Sequence, residues 1–167
     1  TGKGHATDRA VALGLLGFLG LAGAILQYRL GPARELTGAA QAIDGDSVRL
    51  LGEELRLEGI DAPEYRQSCT ARDGRPVACG REARRALQAM LARGETHCEI
   101  GKADRYGRGL ARCRQGGTDI NATLVREGHA VSYGAYRAEE DAARAAGRGI
   151  WATQFERPEA WRRSHSR

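Results

Sequence analysis

Charged residues that suit phosphodiester chemistry lie in two short stretches of the sequence and in one later loop. Asp46 follows Asp44-Gly45, while Arg56, Asp61 and Glu64 share the next segment and Arg108 lies in the segment 104–109. Carboxylates bind hard cations, two arginines can grip a phosphate from both sides, and a third carboxylate can orient or activate water. These residue types together predict metal-assisted hydrolysis of a phosphodiester.

Asp46 and Asp61 are the candidate metal ligands, because each lies at the end of a strand-like run and such ends converge at one mouth of a small barrel. Pro63 favours an extended Ala62, whose backbone carbonyl can then join the ion. Two carboxylates, a carbonyl and waters suit Ca²⁺, and Mg²⁺ uses the same oxygen chemistry. Because Asp-Gly also favours tight hairpins, a simple turn at 44–46 is the alternative.

Glu64, Arg56 and Arg108 are the candidate catalytic residues. Glu64 follows the turn made by Ala62-Pro63, from which it can contact the attacking water as a base or an orienting group. The two arginines would bind the phosphate and stabilise the charge that develops on its oxygens. A solvated surface position is the alternative for each.

Three tyrosines are candidate substrate-binding residues. Tyr106 lies between Asp104-Arg105 and Gly107-Arg108, where it can donate to a phosphate. Tyr133 and Tyr136 can stack on nucleobases. Packing against the protein is the alternative for both.

The bulk composition fits a basic globular domain. The chain has 167 residues and a formal net charge of +5, with 28% charged and 41% hydrophobic residues. This length is enough for one domain with its own core. A net positive charge suits a polyanionic partner, either a nucleic acid or an anionic lipid, without specifying any chemistry.

The segment 10–26 contains no charged or strongly polar side chain. It is close to the minimum length for a membrane span and longer than the core of most signal peptides. We therefore assign residues 1–30 as a signal peptide or a membrane anchor, with cleavage left open. A buried core helix is the alternative, against which the lack of a polar face argues. Either assignment predicts an extracytoplasmic body, tethered to the membrane if the segment is uncleaved.

Four cysteines support the same placement. Cys69 and Cys79 bracket a polar, turn-rich stretch, and Cys98 and Cys113 lie in two strand-like segments around the Tyr106 loop. Local proximity predicts disulfides 69–79 and 98–113, one of three possible pairings. A zinc site, for which no Cys-x-x-Cys spacing exists, and free thiols are the alternatives.

The remaining pattern predicts an α+β fold, mainly a β barrel with helices. Residues 31–37 are assigned as a linker, 38–156 as the folded domain and 157–167 as a basic C-terminal tail. Hydrophobic periodicity predicts helices over 80–93, near 119–128 and over 138–146, with short strands before and between them. We expect a five-stranded OB-fold barrel with three helices, preceded by the N-terminal apolar segment.

Five separated motifs resemble the staphylococcal nuclease (thermonuclease) family, in order and at similar spacing. They are IDGDSV at 43–48, RLEGIDAPE at 56–64, DRYGRGLA at 104–111, NATLVREG at 121–128 and GIW at 149–151. The resemblance spans about residues 39–151 and implies a five-stranded barrel with three helices, so 38–156 is expected to be a thermonuclease-like OB-fold domain. It implies that Asp46 and Asp61 bind Ca²⁺, that Arg56, Glu64 and Arg108 are catalytic, and that Tyr106 contacts phosphate. The nuclease that names the family has threonine where Ala62 stands, and a backbone carbonyl preserves coordination across that change.

The resulting hypothesis is a monomeric, calcium-dependent endonuclease that hydrolyses DNA and RNA outside the cytoplasm. The resemblance implies attack by water at phosphorus and release of 3′-phosphate ends. One alternative is a non-catalytic OB-fold module that binds nucleic acid. Another is a membrane-tethered structural protein that uses calcium for stability, which leaves the two arginines unexplained.

Overall fold

The computed structural model describes residues 34–165. The apolar segment assigned above as a signal peptide or anchor lies outside the described residues. Within the described part, none of the helices combines the length and the apolar character that a membrane crossing needs.

A curled seven-stranded sheet forms the centre of the fold. Its strands lie in the order β1 (Arg34–Gly38), β8 (Thr96–Ala103), β9 (Gly109–Gln115), β4 (Glu53–Leu57), β3 (Ser47–Leu50) and β2 (Ala40–Ala42), and β10 (Thr118–Asp119) pairs with β9. All pairs are antiparallel except β4 with β9. Strand β1 also approaches β3, so the sheet curls into a half-barrel.

Two small sheets extend this framework. Strand β5 (Ile60–Asp61) pairs with β11 (Val131–Ser132). Strand β6 (Cys69–Ala71) pairs with both β7 (Pro76–Val77) and β12 (Thr153–Gln154). The first of these pairs matters for the site, because it holds Asp61 in a strand.

Alternating burial along β4 separates the core from the site. Leu55 and Leu57 are buried in the main hydrophobic cluster. Arg56 lies between them and is only partly buried, because successive side chains of a strand point to opposite faces. Strand β4 therefore directs Arg56 away from the face on which Leu55 and Leu57 pack into the core.

Four α-helices lie within residues 34–165: α1 (Cys79–Leu91), α2 (Ile120–Arg126), α3 (Arg137–Ala146) and α4 (Pro158–His165), with a 3₁₀ turn at Gly149–Ala152. Helix α1 buries Ala83, Leu87 and Leu91 in the main cluster. The Asp119 carboxylate caps α2 by accepting the Ala122 N–H at 2.9 Å.

Both predicted disulfides are confirmed. Cys69–Cys79 joins β6 to the first residue of α1. Cys98–Cys113 joins residues that face each other across β8 and β9. All four cysteines are paired, which excludes the zinc-site and free-thiol alternatives.

The predicted α+β fold on a barrel-like sheet is confirmed, but two predicted boundaries are wrong. Residues 34–37, assigned to the linker, belong to β1, because they pair with β8 and Leu36 packs against the main cluster. Most of the assigned tail forms α4, the fourth helix, which begins at the buried Pro158. Proline suits the first helical position, where its missing N–H costs no hydrogen bond.

Candidate active site

Three short elements bring the two predicted metal ligands together with one arginine. Asp46 ends the turn between β2 and β3, Arg56 lies on β4, and Asp61 ends β5. Ser47 pairs with Arg56 across β3 and β4, so Asp46 arrives beside that arginine. The expected convergence of the two carboxylates is therefore present in the structure.

The Arg56 guanidinium bridges the two carboxylates. It donates to Oδ1 of Asp46 at 2.8 Å and to Oδ1 of Asp61 at 3.0 Å. Both aspartate side chains are only 5% exposed, compared with 21% for Arg56. The two buried acids therefore share the Arg56 guanidinium.

Burial dominates the electrostatics of Asp46. It raises the pKa of Asp46 to about 7, although the charge of Arg56 and a hydrogen bond from the Ala62 N–H both oppose that rise. The Ala62 N–H donates to Oδ2 at 2.8 Å. Burial therefore disfavours the ionised form of Asp46, and the positive charge of Arg56 favours it.

Two glycines allow the close backbone packing on which this geometry depends. A Cβ at Gly45 would lie 2.6 Å from the Ala62 Cβ and 2.8 Å from the Ala83 Cβ. A Cβ at Gly80 would lie 1.8 Å from the Glu64 carbonyl oxygen. The Asp46 turn and the start of α1 therefore pack closely against residues 62–64 because Gly45 and Gly80 have no side chain.

Glu64 is held beside the acidic pair. Its backbone N–H donates to Oε1 of the buried Gln67 at 3.1 Å, and its carbonyl accepts the Gln67 N–H at 2.7 Å. Its side chain is 33% exposed and accepts a hydrogen bond from Arg162 at 2.8 Å. Glu64 is therefore held by its backbone, and its carboxylate lies at the edge of the site in contact with Arg162.

Sequence reasoning missed Arg162, which lies on α4. Its guanidinium donates to both oxygens of Asp61, at 2.9 and 3.0 Å, and to Glu64. Hydrogen bonds from Arg162 to Asp61 and to Glu64 raise the pKa of Arg162 above its ordinary value, and burial partly opposes this rise. Proline at the first helical position gave a signal for the helix, but no local pattern links residue 162 to residue 61.

Arg108 lies near the pair but has other direct partners. Its guanidinium donates to Asp104 at 2.9 Å and pairs with Glu54 at 3.6 Å. Burial alone would lower the pKa of Arg108, but the hydrogen bond from Arg108 to Asp104 and the charges of Asp104, Glu54 and Asp46 raise it. Arg108 and Asp46 are thus close enough for their charges to interact.

The three predicted tyrosines have different surroundings. Tyr106 is 69% exposed, with the Arg105 and Arg108 guanidinium groups 4.8 and 5.7 Å from its ring centre. Tyr133 is 68% exposed and follows β11. Tyr136 is partly buried against the main cluster. Tyr106 and Tyr133 are therefore accessible to a ligand, while part of Tyr136 is used in packing.

The donor set at this site fits a hard cation. The described residues contain no cluster of three or more His, Cys, Asp or Glu side chains with metal-binding geometry. Asp46 and Asp61 offer only oxygen donors, which suit Ca²⁺ or Mg²⁺ better than a transition metal. A backbone carbonyl, waters and a substrate oxygen would have to complete the shell.

Comparison with known proteins identifies the family. The family model described as staphylococcal nuclease homologue matches residues 54–153, which hold Arg56, Asp61, Glu64 and Arg108. The chain belongs to the staphylococcal nuclease homologue family. The expected family is therefore confirmed.

Three similar proteins illustrate the range of names in this family. The succinoglycan biosynthesis protein ExoI of Rhizobium meliloti is 37% identical over 143 residues, covering 81% of this chain and 75% of that protein. The micrococcal nuclease of Shigella flexneri is 33% identical over 144 residues, with 73% and 77% covered. A probable staphylococcal-like nuclease of Oryza sativa subsp. japonica is 30% identical over 125 residues, and the match spans 71% of this chain but only 30% of the rice protein.

Proposed function

We propose that this protein is a calcium-dependent endonuclease that hydrolyses phosphodiester bonds of DNA and RNA outside the cytoplasm. One observation carries the proposal: Asp46 and Asp61, both buried, converge on Arg56, with Glu64 and Arg108 nearby. The names of the Shigella and rice relatives support a nuclease.

Asp46, Asp61 and the Ala62 carbonyl would hold the Ca²⁺ ion. Bound there, the ion would neutralise negative charge on a phosphate oxygen. The burial of both carboxylates supports this assignment, because a bound divalent cation would favour the ionised form of Asp46 that burial disfavours. Arg56 keeps the two acids aligned for a shared ligand.

Arg56, Glu64 and Arg108 would perform the remaining steps. The two guanidinium groups bind the phosphate and stabilise the charge on its oxygens as water attacks phosphorus. The Glu64 carboxylate orients that water or accepts its proton. The bond to the 5′ oxygen then breaks, which leaves a 3′-phosphate end and a 5′-hydroxyl end that has taken up a proton.

Exposed rings near the site support a nucleic-acid substrate. Tyr106 would donate to a flanking phosphate, and Tyr133 would stack on a base. Tyr136 remains in this proposal as a secondary contact through its exposed part. The net charge of +5 favours the approach of a polyanion by a single monomeric chain.

The disulfides support an extracytoplasmic location, since such bonds persist in oxidising compartments. The apolar segment at 10–26 would either direct secretion and be removed or remain as a membrane tether. Fractionation of cells that express the whole chain, with mass determination of the mature N-terminus, distinguishes these two forms.

Digestion of plasmid DNA and of RNA, with calcium or with a chelator, tests the activity. We expect cleavage with calcium, none with chelator, and a loss of several powers of ten in turnover for Arg56→Ala or Arg108→Ala. Arg112→Ala is the matched control, because Arg112 is an exposed arginine of β9 paired with Glu58. Nucleic-acid binding without cleavage would instead support a non-catalytic module, and an arginine variant of normal rate would remove that arginine from the mechanism.

A further inference from the structure

Helix α4 places a cation on the proposed metal ligands. Both oxygens of Asp61 accept hydrogen bonds from Arg162, and Oδ1 also accepts one from Arg56. On Asp46, Oδ1 is bonded to Arg56 and Oδ2 to the Ala62 N–H. Every carboxylate oxygen of the pair therefore already has a donor within 3.0 Å.

We propose that Arg162 occupies the Asp61 side of the divalent-cation site, so that calcium binding must displace Arg162 and release α4. This inference depends on the proposed calcium site. The reason is geometric: Ca²⁺ binds carboxylate oxygens at about 2.3–2.6 Å. A guanidinium that forms two parallel bonds to the same carboxylate takes that approach.

Arg162 is the cation that can leave, and Arg56 is not. Arg56 lies on a strand paired on both sides, with β3 and β9, and its side chain is 21% exposed. The Arg162 side chain is 39% exposed. Its helix is the last element of the described chain, so its departure would leave the sheet intact.

The attachment of α4 is sparse. Among the described elements, no strand or other helix packs extensively against it. It buries Pro158, and the preceding Glu156 carbonyl accepts a hydrogen bond from Gln67 at 2.7 Å. The contacts of Arg162 with Asp61 and Glu64 therefore add to the burial of Pro158 and the partial burial of Trp161 in holding the helix.

The same guanidinium also contacts the group proposed to act on water. Arg162 donates to Oε1 of the Glu64 carboxylate at 2.8 Å, so this oxygen is already hydrogen-bonded. One displacement therefore frees both a metal ligand and the group proposed to act on water. Calcium concentration would switch both at once.

Calcium titration of the full chain by calorimetry, without nucleic acid, tests this inference. Arg162→Gln removes the charge and the guanidinium and keeps a polar, uncharged side chain on the helix. Arg163→Gln is the matched control, since Arg163 lies on the same helix and pairs with Glu159. We expect Arg162→Gln to bind calcium roughly ten- to one-hundred-fold more tightly than the wild type, as for a typical coupling between two competing ligands, and Arg163→Gln to resemble the wild type.

Amide hydrogen exchange on the wild type gives a readout that needs no variant. Saturating calcium should increase exchange in residues 158–165 and leave α1 unchanged. Equal or weaker calcium binding by Arg162→Gln, or unchanged protection of α4, would overturn the inference while the calcium site stands. Absence of calcium binding in both the wild type and Arg162→Gln would instead overturn the calcium site, and this inference with it.

Discussion

Replacement of Arg56 by alanine should destabilise the calcium-free protein in a strongly pH-dependent way. The side chain bridges two buried carboxylates at 2.8 and 3.0 Å. Removing one partner of a buried ion pair leaves an uncompensated charge, which typically costs about 3–5 kcal/mol. Asp46 can avoid part of that cost by taking up a proton.

The magnitude follows from the pKa of Asp46. Burial raises that pKa to about 7 in the wild type, from an ordinary value of 3.8, so stability falls as the pH rises between these values and levels off above about 7. Without Arg56, the folded-state pKa rises further and stability continues to fall. Each additional pH unit costs about 1.4 kcal/mol, so the deficit of the variant should grow by about 2 kcal/mol between roughly pH 6 and pH 8.5.

Urea unfolding followed by circular dichroism, in chelator at both pH values, measures this deficit. Arg112→Ala is the control, because its arginine lies on β9 at the surface and pairs with Glu58. The control should show a small deficit that does not change with pH. A deficit for Arg56→Ala that is equal at both pH values, or smaller at the higher one, would refute the argument that Arg56 compensates the charge of Asp46.

Three further predictions concern protons and covalent links. Calcium affinity should rise about tenfold per pH unit up to about pH 7 and then level off, because binding requires ionised Asp46. Calorimetric calcium affinities that stay constant between roughly pH 5.5 and 7 would contradict this prediction. Burial alone would raise the pKa of Glu140. Hydrogen bonds to its carboxylate, the shortest from the Ser132 N–H at 2.6 Å, outweigh burial and lower that pKa. Ionised Glu140 therefore stabilises the fold above its unfolded-state pKa, and this stabilisation is lost as the pH falls through its folded-state pKa. Glu140→Gln should lower the free energy of unfolding by about 1–3 kcal/mol at neutral pH and by progressively less in acid. Urea unfolding measures both. Replacing Cys69 and Cys79 by serine opens a loop with a sequence separation of 10 and should cost about 2–3 kcal/mol of unfolding free energy; unchanged stability would show that the loop is ordered without the bond.

Local patterns in the sequence were sufficient for the framework of the site. The alternation of Leu55, Arg56 and Leu57 predicts which face carries the arginine, and the structure agrees. The expectation that strand ends converge brought Asp46 and Asp61 together, and the structure joins them through Arg56. These features depend on residues close in sequence or on simple barrel topology.

Local sequence patterns could not predict contacts between segments that are distant in the sequence. Strand β1 contains one large apolar residue, Leu36, and its pairing partner β8 begins about sixty residues later. Helix α4 is rich in charge, and its key contact joins Arg162 to a residue 101 positions earlier. Only tertiary packing decides these placements, which is why a linker and a tail were assigned there.

The most direct test of the site is a crystal structure of the protein in saturating calcium, with the ion located by its anomalous scattering. We expect one ion bound to the carboxylates of Asp46 and Asp61, with Arg162 no longer bonded to Asp61. An ion bound elsewhere, or a pair that remains bridged only by arginines at saturation, would contradict the account.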